Sequence, residues 1–531
     1  MRNLELPGRS PVMSMNGMAA TSHPLATVTA VNVLRDGGTA MDAAVAACAV
    51  QCVVEPQSTG IGGDCFVMMS PGGSDEPIAF NGSGPAPAGA TVDWFRQQGV
   101  TELARDTVHA VSIPGAIDAW SRLLRDHGRK DLGELLQPAI AFARDGYPIG
   151  QRVSADWTRE AGVLRKDPTA RRIFLPEDRA LRPGEVHRQP ELARTLSIVA
   201  EEGPDGFYKG PVAEDMVTYL QSLGGCHTLE DFASVEGEYV TPIKTHYRGH
   251  EVWECPPNGQ GIVALEILNM LSSFDLGALG PLSVERLHLE AEAARLAYRD
   301  RDAMLADPAH ADVPVQEWLS EERAARLRQM ISYDRAMAEL PPAPMPAHTD
   351  TVYISVVDKD RNAVSFINSL FESFGGGLVS PKTGVLLHNR ASGFSLDPAH
   401  PNCIAPGKRP MHTIIPGMLG REGRAVMPFG VMGGHYQACG HAHLLTSMID
   451  YGLDIQEAID LPRIFPQPKS GTLDVESGVP EPVVEGLRAR GHEPSRPQRP
   501  IGGAQAIQID WEQGVLTGGS DPRKDGCALG Y

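Results

Sequence analysis

Apolar residues recur every three or four positions over residues 115–124, 132–144, 190–202 and 212–223. They do so again over 284–305, where Leu287, Leu289, Ala293, Leu296 and Tyr298 are interleaved with charged side chains. That spacing gives each segment one apolar stripe, so 115–330 is predicted to be mainly helical. Two short strands, 239–247 and 250–254, interrupt it before the turn Pro256-Pro257-Asn258-Gly259. Upstream, the amphipathic stretch 28–35 stops at Asp36-Gly37-Gly38, where glycine suits a helix C-cap. The Ala-rich 42–53 reads as a buried helix. Beyond the break Pro341-Pro342-Ala343-Pro344-Met345-Pro346 the pattern changes to strands. Residues 351–357 and 363–370 flank turn chemistry at 358–362 and predict a hairpin. Further strands are expected at 384–387, 426–432, 506–509 and 515–516, with a helix over 436–452. Strands flanked by helices from both halves predict a layered α/β sandwich with antiparallel hairpins.

At 531 residues the chain exceeds what one core of about 250–300 residues fills, so two lobes or two interlocked segments are expected. A net charge of −19 argues against a nucleic-acid or anionic-membrane surface, yet leaves room for a locally basic pocket. The first residues lack the apolar stretch of a secretory signal. No apolar run reaches the ~18–20 residues that span a bilayer; the nearest, 43–54, is broken by Gln51. The eight cysteines are scattered, with no CxxC pair, which fits a reducing cytoplasm.

The candidate chemistry centres on Thr351. A strand that begins with Thr just past a Pro-rich hinge has the form of a hidden N-terminus. Cut there, one residue would carry both a hydroxyl nucleophile and an amine to serve as its base. The alternative is a β-branched residue at a strand start. The cluster Gly60-Ile61-Gly62-Gly63 lacks the Lys-Ser/Thr of a phosphate loop and reads as a turn bringing backbone close to a site. His435, His441 and His443 lack a carboxylate partner in a known ligand spacing, so helix packing is preferred over a metal. No cofactor or metal is expected.

The motifs, taken in order, resemble the γ-glutamyltransferase family of N-terminal-nucleophile hydrolases over nearly the whole chain. They are Gly37-Gly38-Thr39-Ala40-Met41-Asp42, Gly62-Gly63, Ser112-Ile113-Pro114-Gly115, Tyr298-Arg299-Asp300-Arg301-Asp302, Gly407-Lys408-Arg409-Pro410, Gly430-Val431-Met432-Gly433-Gly434 and Gly519-Ser520-Asp521-Pro522-Arg523. The resemblance implies a four-layer αββα sandwich of mostly antiparallel sheets. It also implies a precursor that cuts itself between Asp350 and Thr351. Its large segment, 1–350, would end in an exposed linker at 341–350 and interlock with the small segment, 351–531. By the same resemblance Thr351 is the nucleophile and Ser369 orients it, while the N–H groups of Gly433 and Gly434 face the oxyanion. A homodimer of the processed heterodimer is left open.

The family's substrate clamp is not matched. Its Arg falls at Asn81 and its paired Ser at His412 and Thr413; the groups that hold an α-amine fall at Phe371, Arg390 and Gly393. An Arg repels an ammonium and suits a carboxylate. Arg390, His412, Thr413, Asn81, Phe371 and His435 are therefore the expected substrate-side residues, with His412 and Arg409 adding positive character. For Arg390 a structural salt bridge is the competing role, and for Arg409 it is the favoured one. The expected substrate is a small anionic amide, such as oxamate or a dicarboxylic acyl amide. The alternatives are γ-glutamyl transfer or glutathione hydrolysis and, from another class, a non-processing binding protein.

Overall fold

The computed structural model describes residue 5 and residues 8–337, 351–468 and 470–531. The Pro-rich break and Asp350, the expected cleavage residue, lie outside the described residues.

Two seven-stranded antiparallel sheets form the centre. One runs, edge to edge, through Cys527–Gly530, Met18–Thr21, Val352–Val357, Ala363–Ser369, Asp64–Ser70, Ile78–Gly82 and Glu238–Val240. The other runs through Val12–Ser14, Val515–Ser520, Gly503–Asp510, Arg424–Met432, Gly417–Arg421, His250–Glu254 and Ile243–Tyr247. Each sheet takes strands from both sides of Thr351.

The alternation of strand side chains builds the layers. In the central hairpin Tyr353, Val357, Ala363 and Ile367 face the second sheet, where they pack with Ile414, Met418, Met432 and Ile507. Ile354, Val356, Val364 and Phe366 face outward, against the helices Pro24–Arg35, Ala40–Val54 and Ala116–His127. On the far side Phe429, Val431 and Ala506 meet Gly261–Leu271, Val284–Met304 and Gln437–Ile449. The order is helix, sheet, sheet, helix.

Helix 190–202 is found as Pro190–Glu202, and strand 250–254 as His250–Glu254. The strand expected at 239–247 is two, split at Thr241-Pro242 and belonging to different sheets. Residues 384–387 are not a strand. They make only isolated bridges, Val379 to Leu386 and Gly62 to Leu387, because the segment is pinned as a loop under the Gly60–Gly63 turn. Among the described residues, no helix is long and apolar enough to cross a membrane.

Candidate active site

The two sheets meet where the hairpin crosses the strand Arg424–Met432. Ser355 Oγ donates to Pro428 O at 3.1 Å. A Cβ on Gly430 would strike the Tyr353 ring at 2.3 Å, so only glycine admits that crossing. Thr351 lies two residues before Tyr353, and Met432, two residues after Gly430, is followed by the Gly433-Gly434 turn. Both glycines have positive φ, 124° and 58°.

Thr351 is buried, and its Oγ1 lies 3.2 Å from Ser369 Oγ. Ser369 Oγ already accepts from Phe371 N–H at 2.9 Å and from Arg390 Nη2 at 3.2 Å. A hydroxyl has two lone pairs and one hydrogen. Its own hydrogen is therefore the one shared with Thr351 Oγ1.

Arg390 lies in the short helix Arg390–Gly393 and is fully buried. Nη1 donates to Thr413 Oγ1 at 3.0 Å, and the guanidinium sits 4.0 Å over the Phe371 ring. Among the described residues its Nε has no hydrogen-bond partner. No carboxylate stands at ion-pair distance among the described residues, so the salt-bridge role is not observed. Burial pulls the guanidinium below its ordinary range, while Asp64 and Glu372 oppose the shift from further off. Phe371 takes φ 79°, a conformation costing a non-glycine residue on the order of 1–3 kcal/mol. That backbone turn sets its N–H on Ser369 and its ring under Arg390.

Other expected residues are turned inward. His412 Nε2 lies 3.0 Å from Asp64 Oδ2, and its ring packs on Phe66. Burial and the nearby Arg390 push its pKa down to about 3, so it is neutral and adds no positive charge. Burial pushes the Asp64 carboxyl up, but His388 and His412 hold it well below the usual carboxylate range; its Oδ1 also accepts from the Gly84 and Gly115 N–H groups. Asn81 donates to Asn258 Oδ1 at 2.8 Å and accepts from Ser83. Arg409 pairs with Glu238 and donates to the Ser83 and Glu236 carbonyls, a structural role. His441 pairs with Glu254 and His443 with Glu290, each a separate imidazole–carboxylate contact. Gly393 O accepts from Asn402, and a cleft of about 520 Å³ opens beside it, lined also by Arg105, Asp302 and His400.

Glu372 and Gln260 were not among the residues expected at the site. Glu372 pairs with Arg105 at 3.1 Å and accepts from Asn389. Burial raises its pKa to about 7. Gln260 Nε2 donates to both Thr413 O and Gly434 O. Its only signal was a place in the turn after Pro256-Pro257.

A buried hydroxyl pair at the head of a central strand, inside an αββα sandwich and beside a glycine turn, defines an N-terminal-nucleophile hydrolase. The chain belongs to the gamma-glutamyltranspeptidase family, whose model matches residues 26–531. It is 36% identical to the glutathione hydrolase-like YwrD proenzyme of Bacillus subtilis (strain 168), over 98% of this chain and 99% of that protein. It is 35% identical to the oxamate amidohydrolase proenzyme of Klebsiella pneumoniae, over 98% and 99%. The crystal structure of cephalosporin acylase from Bacillus halodurans superposes with a TM-score of 0.93 at 37% identity, covering 100% of this chain and 99% of that one. The chain is an enzyme of the amidohydrolase and acylase type.

Proposed function

We propose that this enzyme is a precursor that cuts itself between Asp350 and Thr351 into segments 1–350 and 351–531, and that it then hydrolyses monoamides of short dicarboxylic acids. The carrying observation is Arg390: a buried guanidinium without a carboxylate partner among the described residues, one hydrogen bond from Ser369 and two from Thr351. A buried charge needs a counter-charge, and a substrate carboxylate supplies it as a two-pronged partner. Two hydrogen bonds of 3.2 Å separate the guanidinium from the nucleophile, which suits a carboxylate a few bonds from the amide carbon. Oxamate and glutaryl amides both have that form. The name of one relative, an oxamate amidohydrolase, agrees with this class, and that of a cephalosporin acylase agrees with acyl-amide cleavage.

In the cycle the freed α-amine of Thr351 takes the proton from Oγ1 as that oxygen attacks the amide carbonyl. Ser369 donates to Oγ1 throughout and lowers the cost of its developing charge. The N–H groups of Gly433 and Gly434 receive the oxyanion, each worth about 2.7–4 kcal/mol in such sites. The amine leaves with a proton, and water releases the acid from the Thr351 ester. A γ-glutamyl donor brings an ammonium toward Arg390, which disfavours it. Eight unpaired cysteines support a cytoplasmic setting.

The intact mass of the purified chain, beside Thr351→Ala, tests the reading. Two fragments joined at 350/351 in the parent and one uncut chain in the variant are expected, with turnover of oxamate or glutaryl-p-nitroanilide exceeding that of γ-glutamyl-p-nitroanilide. An uncut parent chain, or preference for the γ-glutamyl compound, overturns it.

A further inference from the structure

Gln260 is fully buried, and its amide joins two parts of the site. Nε2 donates to Thr413 O at 2.8 Å and to Gly434 O at 3.0 Å. Oε1 accepts from Arg301 Nη1 at 2.9 Å. The backbone N–H of Gln260 donates to His412 O at 2.8 Å. An arginine only donates and a carbonyl only accepts, so all three side-chain contacts agree on one orientation of the amide. Arg301 Nη1 also meets His435 Nδ1 at 2.9 Å, and the Tyr298 hydroxyl donates to His435 O. Tyr298 and Arg301 are three residues apart on the helix Val284–Met304 and so reach the turn from one face.

We propose that Gln260 is a positioning residue that keeps the oxyanion turn in register with the acyl pocket, and that Arg301 fixes its orientation. This rests on the reading of Thr351 and the glycine turn given above. Two successive glycines are the most pliable pair a turn can contain. Tyr436 N–H holds Gly433 O at 3.1 Å, and Gln260 holds Gly434 O. Because each peptide unit is planar, the tie on Gly433 O sets the direction of the Gly434 N–H, and the tie Gln260 makes to Gly434 O fixes the following peptide plane and so anchors the turn that carries both oxyanion donors from its far side. The same Gln260 nitrogen grips Thr413, whose hydroxyl receives Arg390. A continuous line of hydrogen bonds thus runs from Thr351 through Ser369, Arg390, Thr413 and Gln260 to Gly434. The distance between the acyl carboxylate and the oxyanion is set by one amide.

The test uses Gln260→Glu and Gln260→Ala in the full-length precursor, with rates normalised to the processed fraction by intact mass. Glu keeps the volume and the Arg301 contact but cannot donate to two carbonyls. With glutaryl-p-nitroanilide, kcat is expected to fall ~10–100-fold in both variants while KM stays within ~3-fold, the scale of a misplaced oxyanion donor. Affinity for 4-boronobutanoate, which forms a tetrahedral adduct, falls in parallel with kcat; affinity for glutarate does not. Unchanged kcat overturns the proposal. So does a joint loss of glutarate and boronate binding with Tm lowered by more than ~10 °C in both variants, which would mark Gln260 as structural only. Thr351→Ala separates the two readings. Turnover surviving in that variant removes the nucleophile assignment, whereas full activity in the Gln260 variants beside a silent Thr351→Ala removes the positioning role alone.

Discussion

Arg390 Nη2 lies 3.2 Å from Ser369 Oγ, and the guanidinium faces hydroxyls and an aromatic ring where a carboxylate would be expected. The charge is buried and only partly compensated, so a ligand carboxylate gains more here than on a solvated surface. Glutarate is expected to raise the Tm of the enzyme and to leave that of Arg390→Gln unmoved. The same variant should raise KM for glutaryl-p-nitroanilide by ~10–100-fold, the loss of a charged hydrogen bond of about 1.5–3 kcal/mol. KM for the uncharged butyryl-p-nitroanilide should change little. Equal effects on both substrates would remove Arg390 from carboxylate recognition.

Ser369 stands between the cation and the nucleophile. Ser369→Ala removes the hydrogen that Thr351 Oγ1 receives and leaves Phe371 N–H and Arg390 Nη2 without their acceptor. A drop in kcat of ~10²-fold is expected, with most of it restored in Ser369→Thr. Stopped-flow release of p-nitroaniline would read the acylation step directly. A variant as fast as the parent would mean that the 3.2 Å contact contributes nothing to the chemistry.

The fold was legible where one face of an element is polar. Helix Pro190–Glu202 and strand His250–Glu254 follow from spacing alone. Strand Asp64–Ser70 is buried at every position and helix Gly261–Leu271 is buried all round, so neither leaves an alternating or striped pattern to read. Within the site, Thr351 was singled out by its place at a strand start after the Pro-rich break, and Ser369 and Arg390 by where the family resemblance puts them. Asp64, Gln260 and Glu372 could not, since their roles exist only through partners 17 to 348 residues away. His412 shows the limit most directly. A histidine read as a cation beside a substrate is instead kept neutral by its burial and by the nearby Arg390, which outweigh the opposing pull of Asp64.

Gly433 tests the turn. Its φ of 124° is one that L-residues rarely adopt, and an added Cβ would lie 2.9 Å from Gly502 Cα. Gly433→Ala must therefore shift the backbone at a cost of roughly 1–3 kcal/mol. If the turn serves the oxyanion, kcat should fall well beyond what the loss of Tm explains, with glutarate affinity preserved. A variant that is less stable yet equally fast per folded molecule would separate this turn from catalysis.

Glu372 gives the pH dependence. Burial raises its carboxyl from 4.5 to about 7, against the opposing pull of Arg105 and Asn389. A carboxyl with a raised pKa makes the folded state bind more protons than the unfolded one between those values, so stability falls as pH rises through about 4.5 to 7. Above that window the carboxylate is ionised in both states and its burial cost is fully present. Glu372→Gln removes the titration while keeping a group that can accept from Asn389. Urea midpoints measured at pH 5, 6, 7 and 8 should therefore decline more steeply in the parent than in the variant, with the gap opening below pH 7 and holding constant above it. Parallel curves would mean that Glu372 is ionised throughout and that Arg105 outweighs its burial.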